Sequence, residues 1–254
     1  MKKIIKSIFG FFNIAVRSKS KLEKKLSNSV SKERWEHDIE FSLQIGTHIG
    51  ADFLKLIQLS KSQFRQDLFA LKELKLKKNG FFVEFGATDG VSGSNTFLLE
   101  KEFGYTGILA EPNPKQRKNI SSDRDAKIVE ECVWTKSGEK LEFIDDGDLS
   151  TVGIFNKLKN NKSSFIVNTI SLTDMLDKYD APKLIDYLSI DTEGSEYDIL
   201  SSHDFSKYNF SVITVEHNFT EQRDKIFKLL SKNGYQRKYE KLSMQDDWYT
   251  FLKS

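Results

Sequence analysis

The stretch FFVEFGATDGVSGSNTFLLEKEFGYTGILAEPNP, residues 81–114, constrains the fold more than any other part of the chain. Phe81 to Phe85 is a short apolar run holding one carboxylate, Glu84. Its aromatic and β-branched content predicts a buried strand rather than a helix. Gly86 and Gly90 bracket a tight turn through Ala87, Thr88 and Asp89. Ser94 and Asn95 are both good N-cap residues, which predicts a helix from there through Glu100. A second apolar run, Gly107 to Ala110, ends on Glu111, and Pro112-Asn113-Pro114 stops it. Strand, glycine turn, helix, strand and acid form the first half of a nucleotide-binding α/β unit.

The residue types at the turn follow from what a ligand there requires. Glycine lets the backbone turn sharply and approach a ligand with no Cβ in the way, and the next helix offers unpaired N–H groups. A carboxylate ending the second strand can accept hydrogen bonds from both ribose hydroxyls. Glu111 stands 21 positions after Gly90, close to the roughly 20 expected of a ribose-binding acid. The turn is not G-x-G-x-x-G, however: Thr88 replaces the middle glycine and Asp89 adds negative charge. Two acids, Glu84 and Asp89, would repel a pyrophosphate but attract a sulfonium and an ammonium. The loop therefore favours S-adenosylmethionine over NAD; the bland alternative is a tight βα turn with no ligand.

At 254 residues the chain is long enough for one sizeable α/β core with an extension. The net charge is +2, which gives no overall argument for nucleic acid. Its distribution is uneven. Residues 1–34 carry ten Lys/Arg against two Glu, an excess of +8 that leaves −6 for the remainder. One cysteine, Cys132, excludes an intrachain disulfide and a Cys-based zinc site. With no clear export signal, a cytoplasmic location is expected. The apolar residues between Ile4 and Val16 are too few to span a membrane and are interrupted by Lys6 and Asn13. The basic arm can instead lie as an amphipathic helix on an anionic surface, placing the protein peripherally on the inner face of the membrane; otherwise it packs on its own domain or a partner.

From Trp35 to Leu59 the spacing is helical, with Gly46 and Gly50 expected to interrupt it. His37 and His48 lack partners at ligand spacing and read as solvated or core histidines. Ser62 is a candidate cap for a helix carrying Leu68, Leu71 and Leu74. Gln63 and Asp67, four apart, share a face, so this helix is either plainly amphipathic or a lid over the cofactor. Downstream, Lys127 to Val133 is a third strand candidate, with Cys132 as buried filler and Trp134 as simple packing or an adenine stack. Residues 145–151 resemble a calcium loop but lack the required terminal Glu and read as a solvated loop.

A second acidic stretch follows the strand Ile185 to Ile190. Asp191 ends that strand, where open α/β sheets place their ligands, and Glu193 and Glu196 lie on the turn into the next helix. Acids at a helix N-terminus complement its dipole, which accounts for Glu193 and Glu196 better than for Asp191. The strand Phe210 to Val215 ends in Glu216-His217-Asn218. His217, the only histidine at such a strand end, has an ordinary pKa suited to a general base near neutrality.

In order and spacing, Glu84-Phe-Gly86-Ala87-Thr88-Asp89-Gly90, Glu111-Pro112-Asn113-Pro114, Ile190-Asp191-Thr192-Glu193-Gly194-Ser195-Glu196 and the strand ending in Glu216 resemble the FkbM family of S-adenosylmethionine-dependent methyltransferases. Many relatives have Asp at position 84 and Asn at 88; Glu84 and Thr88 keep an acid and a small polar group. The likeness spans about Lys61 to Leu252. It implies an α/β fold: a Rossmann-like class I methyltransferase sandwich, with a mostly parallel seven-stranded sheet, one reversed strand and a helical N-terminal extension. The expected division is an extension over 1–60 and a methyltransferase domain over 61–254. The implied activity is O-methylation, often of a sugar hydroxyl in a surface polysaccharide or natural product.

The expected cofactor-binding set is Gln63, Glu84, Gly86, Ala87, Thr88, Asp89, Gly90, Asn95, Glu111, Pro112 and Asp191. The expected catalytic set is His217, Asp191 and Glu216, with His217 the favoured base. A Mg²⁺ or Mn²⁺ ion on Asp191 and Glu216 is the alternative, because it would lower the acceptor hydroxyl's pKa without a base. The expected partner is a small-molecule or glycan acceptor, with no nucleic acid, and the sequence does not set the oligomeric state. Two other classes stay open: a nucleotide-sugar-dependent glycosyltransferase using the acids near Asp191, and a non-catalytic binding subunit that kept the fold.

Overall fold

The computed structural model describes residues 32–46, 52–145, 150–153 and 163–252. The basic arm up to residue 31, with its membrane-surface expectation, lies outside them, as do His48, Gly50 and residues 146–149. Among the described residues no helix is long and apolar enough to cross a membrane.

Seven strands form the main sheet. They are β1 (Phe81–Phe85), β2 (Thr106–Ala110), β3 (Lys127–Val129), β8 (Leu184–Ile190), β9 (Asn209–Glu216), β10 (Tyr235–Lys238) and β11 (Asp246–Phe251), in the order β10-β11-β9-β8-β1-β2-β3. β11 alone runs against its neighbours; it pairs antiparallel with both β9 and β10, while the remaining pairs are parallel. This is the sheet expected from the sequence. β1 is central, pairing with β2 and β8, and β1, β2, β8 and β9 end at the same edge.

Alternation along the strands builds two cores. Val83, Phe85, Ile108, Leu188 and Ile213 face one side, under helices α6 (Leu172–Lys178), α7 (Glu196–Ser202) and α8 (Gln222–Lys232). Phe82, Leu109, Tyr187 and Val212 face the other. They pack against helices α1 (Lys32–Phe41), α2 (Phe53–Leu59), α3 (Gln66–Glu73), α4 (Phe97–Phe103) and α5 (Pro114–Asp123). Each such side chain contributes about 1.5–3 kcal/mol on burial. The N-terminal helices share this second core: Phe41 meets Trp248 edge-on at 6.3 Å, and Trp248 stacks on Phe69 at 4.7 Å.

Three local expectations need correction. The single strand expected over 127–133 is two strands. β3 stays in the main sheet, while β4 (Cys132–Trp134) leaves it to pair with β7 (Ser163–Ser171). With β5 (Lys140–Asp145) and β6 (Thr151–Val152) these make a four-stranded sheet, β4-β7-β5-β6, around Trp134, Phe143 and Val167. Second, α4 starts at Phe97, not at Ser94 or Asn95. Ser94 Oγ accepts from the Thr96 and Phe97 N–H groups while donating to Glu84, so these residues shape the turn ahead of the helix. Third, α3 begins at Gln66, and Ser62 acts from outside its cap position, its Oγ accepting from Asp67 N at 3.2 Å.

Candidate active site

The glycine turn after β1 is built by backbone that few residues could adopt. Gly86 has φ +71°, and a Cβ there would lie 1.8 Å from the Asp191 carbonyl oxygen. The turn therefore lies directly against the end of β8. Asp89 serves the turn itself: its Oδ1 accepts from Val91 N (2.8 Å) and Ser92 N (2.7 Å). Burial alone would raise its carboxyl, but these two donors outweigh it and hold the group below the usual carboxylate range.

Glu84 is committed in the same way. Only 3% exposed, it accepts from Asn95 N at 2.7 Å, Ser94 Oγ at 3.0 Å and the Thr96 hydroxyl. The fully buried Arg124 guanidinium is 3.9 Å away. Arg124 also donates to the Gly90 carbonyl at 2.7 Å, Ser94 Oγ at 3.1 Å, Thr96 Oγ1 at 2.8 Å and Glu100 at 3.1 Å. Its plane is flanked by Phe82 and Phe97 at 5.5 and 5.7 Å. One side chain from the end of α5 thus ties the end of the turn at Gly90 to Glu84, Ser94, Thr96 and Glu100.

Glu111, at the end of β2, accepts from Asn113 N (2.7 Å) through Oε1 and Thr88 N (3.0 Å) through Oε2. Burial raises its carboxyl to about 7, and those two donors offset only part of the effect. Ser62 bridges to Gly93, next to Gln63, which lines the same cavity as Glu111; Arg34 of α1 donates to both the Ser62 and Gln63 carbonyls.

Asp191 directly follows β8 and Glu216 ends the adjacent β9, which brings carboxylate oxygens of the two within 4.8 Å of each other. Burial raises both carboxyls, and the neighbouring acids raise them further: Asp246 and Glu193 act on Asp191, Asp191 and Glu193 on Glu216. Glu193, at φ 57°, brings a third carboxylate oxygen within 4.8 Å of the other two, close enough for all three to coordinate one cation. Glu196 turns away, accepting from Thr192 N and Gly194 N at 3.0 Å.

These groups surround a cavity of about 510 Å³ at the C-terminal edge of the main sheet, within the usual range for a small-molecule site. Gln63, Glu84, Gly86, Ala87, Thr88, Asn95, Glu111, Pro112, Asp191 and Glu216 line it together; Asp89, Gly90 and His217 do not. His217 is 3% exposed. Its Nδ1 accepts from Phe219 N at 2.9 Å, and its Nε2 lies 3.7 Å from Asp247. Burial holds its pKa below the usual imidazole range, partly offset by Asp247. The structure thus turns the expected base away from the cavity.

Other members of the lining were not expected from sequence: Gln116, Phe143, Val152, Asn218 and Gln245. Gln245 directly precedes the one antiparallel strand, so only the sheet topology could have placed it. Trp134 packs into the small core instead of lining the cavity. Cys132 does line it, buried, with its thiol pushed up to about 12 by burial and then by Glu111. Asp145 of the calcium-like run accepts from Asn113 Nδ2 at 3.0 Å and Lys115 Nζ at 2.7 Å.

Among the described residues the lining contains no Lys or Arg but does contain Glu84, Glu111, Asp191, Glu193 and Glu216. Three buried lining oxygens have no protein partner: Asn95 Oδ1, Glu216 Oε2 and Gln245 Oε1. A site so rich in acceptors fits a ligand bearing hydroxyl donors and positive charge, and it fits a diphosphate poorly.

A family model described as the methyltransferase FkbM domain matches residues 84–237. Similar solved structures include a methyltransferase FkbM from Methylobacillus flagellatus KT, 14% identical over 86% of this chain and 61% of that one, TM-score 0.42. A precorrin-6y C5,15-methyltransferase from Geobacter metallireducens GS-15 is 16% identical over 68% and 71%, TM-score 0.40. Aeropyrum pernix fibrillarin, in complex with S-adenosyl-L-methionine, is 11% identical over 75% and 74%, TM-score 0.39. No curated protein matches the sequence.

Proposed function

The chain belongs to the FkbM methyltransferase domain family, S-adenosylmethionine-dependent enzymes, and from that premise we propose that it O-methylates a hydroxyl of a sugar acceptor. The observation that carries the oxygen specificity is the Asp191–Glu216 pair on the cavity wall. A hydroxyl must lose a proton on methylation, and a carboxylate pair raised toward neutrality can take one. Hydroxyl and amide groups of Ser92, Thr192, Ser195, Asn218 and Gln245 line the same cavity, which suits a polyhydroxylated acceptor.

When bound, S-adenosylmethionine supplies an electrophilic methyl group. The residues that would hold it are those of the acceptor-rich half of the cavity. Glu111 retains lone pairs for the ribose hydroxyls, and its own bonds to Thr88 N and Asn113 N fix its orientation. Glu84 and Arg124 act behind the turn, holding its backbone in place, and the unpartnered Asn95 Oδ1 is available to the cofactor's ammonium. Asp191, with Glu216, accepts the proton of the acceptor hydroxyl. The contribution of such positioning is entropic and large.

A second reading keeps the same residues. Asp191, Glu193 and Glu216 could together hold a divalent cation, lowering the hydroxyl's pKa directly. Incubating the protein with methyl-labelled S-adenosylmethionine and a panel of methyl glycosides tests the assignment. Mass spectrometry should find a methyl ether on a sugar. Label appearing only on amine or thiol acceptors in the same assay would overturn it.

A further inference from the structure

Phe219 is the most exposed large apolar side chain among the described residues, at 67%. It also sits at φ 54°, directly after Asn218 at φ 44°. A bulky non-glycine residue in the left-handed region is a steric outlier. Exposing an aromatic ring forgoes the benefit of burial as well. Two costs at one residue, three positions past Glu216, call for a functional account.

The surroundings hold this conformation in place. Phe219 N donates to His217 Nδ1 at 2.9 Å, and the two rings meet edge to face at 5.1 Å. His217 N and Asn218 N both donate to the Gln245 carbonyl, at 2.8 and 3.2 Å, and Thr220 N closes the turn on the His217 carbonyl at 2.8 Å. Asn218 Nδ2 reaches Glu193 at 3.4 Å. Gln245, Asn218 and Glu193 all line the cavity. The backbone turn that carries Phe219 is therefore tied to residues that line the cavity, and its exposed ring stands just outside that lining, next to Asn218.

We infer that Phe219 is a platform for the acceptor, receiving the apolar C–H face of a pyranoside whose hydroxyls face the amides and carboxylates within. His217 is its positioning residue. This rests on the sugar-acceptor reading above. An aromatic face beside a few fixed polar groups is the usual composition of a site that orients a small ligand. The imidazole keeps its lone pair on Nδ1 to receive the Phe219 N–H, so its proton is on Nε2, toward Asp247.

Steady-state kinetics on methyl pyranosides tests the platform, with S-adenosylmethionine affinity measured by calorimetry alongside. F219A should raise acceptor KM about tenfold, the loss of one aromatic contact, with a much smaller effect on kcat and none on cofactor affinity. F219W and F219Y should restore KM. H217A should raise acceptor KM as well, while leaving the pH profile of kcat in place. Because Phe219 contributes little to the core, F219A should fold. Wild-type turnover of pyranosides with F219A indifferent overturns the platform and spares the acceptor class. A wild-type protein that methylates only non-sugar acceptors overturns both.

Discussion

Asp191 and Glu216, at the ends of neighbouring parallel strands, bring carboxylate oxygens within 4.8 Å of each other. Like charges at that separation cannot both persist in a half-buried site, so one proton stays with the pair over much of the neutral range. Asp246 stands behind Asp191, raised to about 7 by burial, with Gln66 as its hydrogen-bonding partner. Acids raised in the folded state bind more protons folded than unfolded. Their stabilising effect is complete below the ordinary carboxylate pKa near 4 and is lost as pH rises through the folded values.

The ligand-free protein should therefore melt higher at pH 6 than at pH 8.5. The window runs through about 7 for Glu111 and Asp246 and extends upward for the pair. D191N should remove part of the dependence and raise Tm at pH 8.5, by about 2–4 °C for each kcal/mol of repulsion relieved. Differential scanning calorimetry of both proteins across pH checks this; a flat profile in the wild type would show that the carboxyls are not raised.

Glu111→Ala should weaken S-adenosylmethionine binding about ten- to hundredfold, the effect of losing charge-assisted hydrogen bonds worth roughly 1.5–3 kcal/mol. Wild-type affinity should also fall as pH drops below about 7, because the protonated carboxyl accepts hydrogen bonds less well. Calorimetry at pH 6 and 8 reads both effects. Unchanged affinity in folded Glu111→Ala would remove Glu111 from the site.

Arg124→Met should lower stability by about 3–5 kcal/mol, since it strands Glu84 as a buried carboxylate without its cation and leaves Glu100 only Lys101. Arg124→Lys should rescue little. A single ammonium cannot reach the Gly90 carbonyl, Ser94, Thr96 and Glu100 together. Denaturant melts compare the three proteins; a Lys variant as stable as wild type would show that charge alone suffices.

The reach of the sequence follows from range. Short-range patterns were legible: the strand Phe81–Phe85, the glycine turn, the Pro112-Asn113-Pro114 stop and the acids closing two later strands. Arg124 was not, because its partners lie 24 to 40 positions away and no local pattern marks them. The departure of β4 from the main sheet was equally hidden, since Lys127 to Val133 reads as a single strand and only pairing partners far along the chain divide it. His217 was misdirected by a single position. Strand β9 runs through Glu216, and with side chains alternating, Glu216 faces the cavity while the next residue turns away. A strand that ends at Val215, as the apolar run suggests, leaves the directions of Glu216, His217 and Asn218 unset.

The proton acceptor separates the remaining readings. If the Asp191–Glu216 pair takes the hydroxyl proton, kcat/KM should rise with pH through an apparent pKa that belongs to the pair. D191N should lower turnover about 10²–10⁴-fold, the usual range for a lost general base. H217A should leave that pH profile intact, because both imidazole nitrogens face protein groups away from the cavity. A cation on Asp191, Glu193 and Glu216 predicts otherwise: EDTA abolishes turnover, Mg²⁺ or Mn²⁺ restores it, and E193Q is as damaging as D191N. An EDTA-insensitive enzyme in which D191N keeps full turnover would defeat both versions. The hydroxyl proton would then leave to solvent, with catalysis resting on alignment of the acceptor alone.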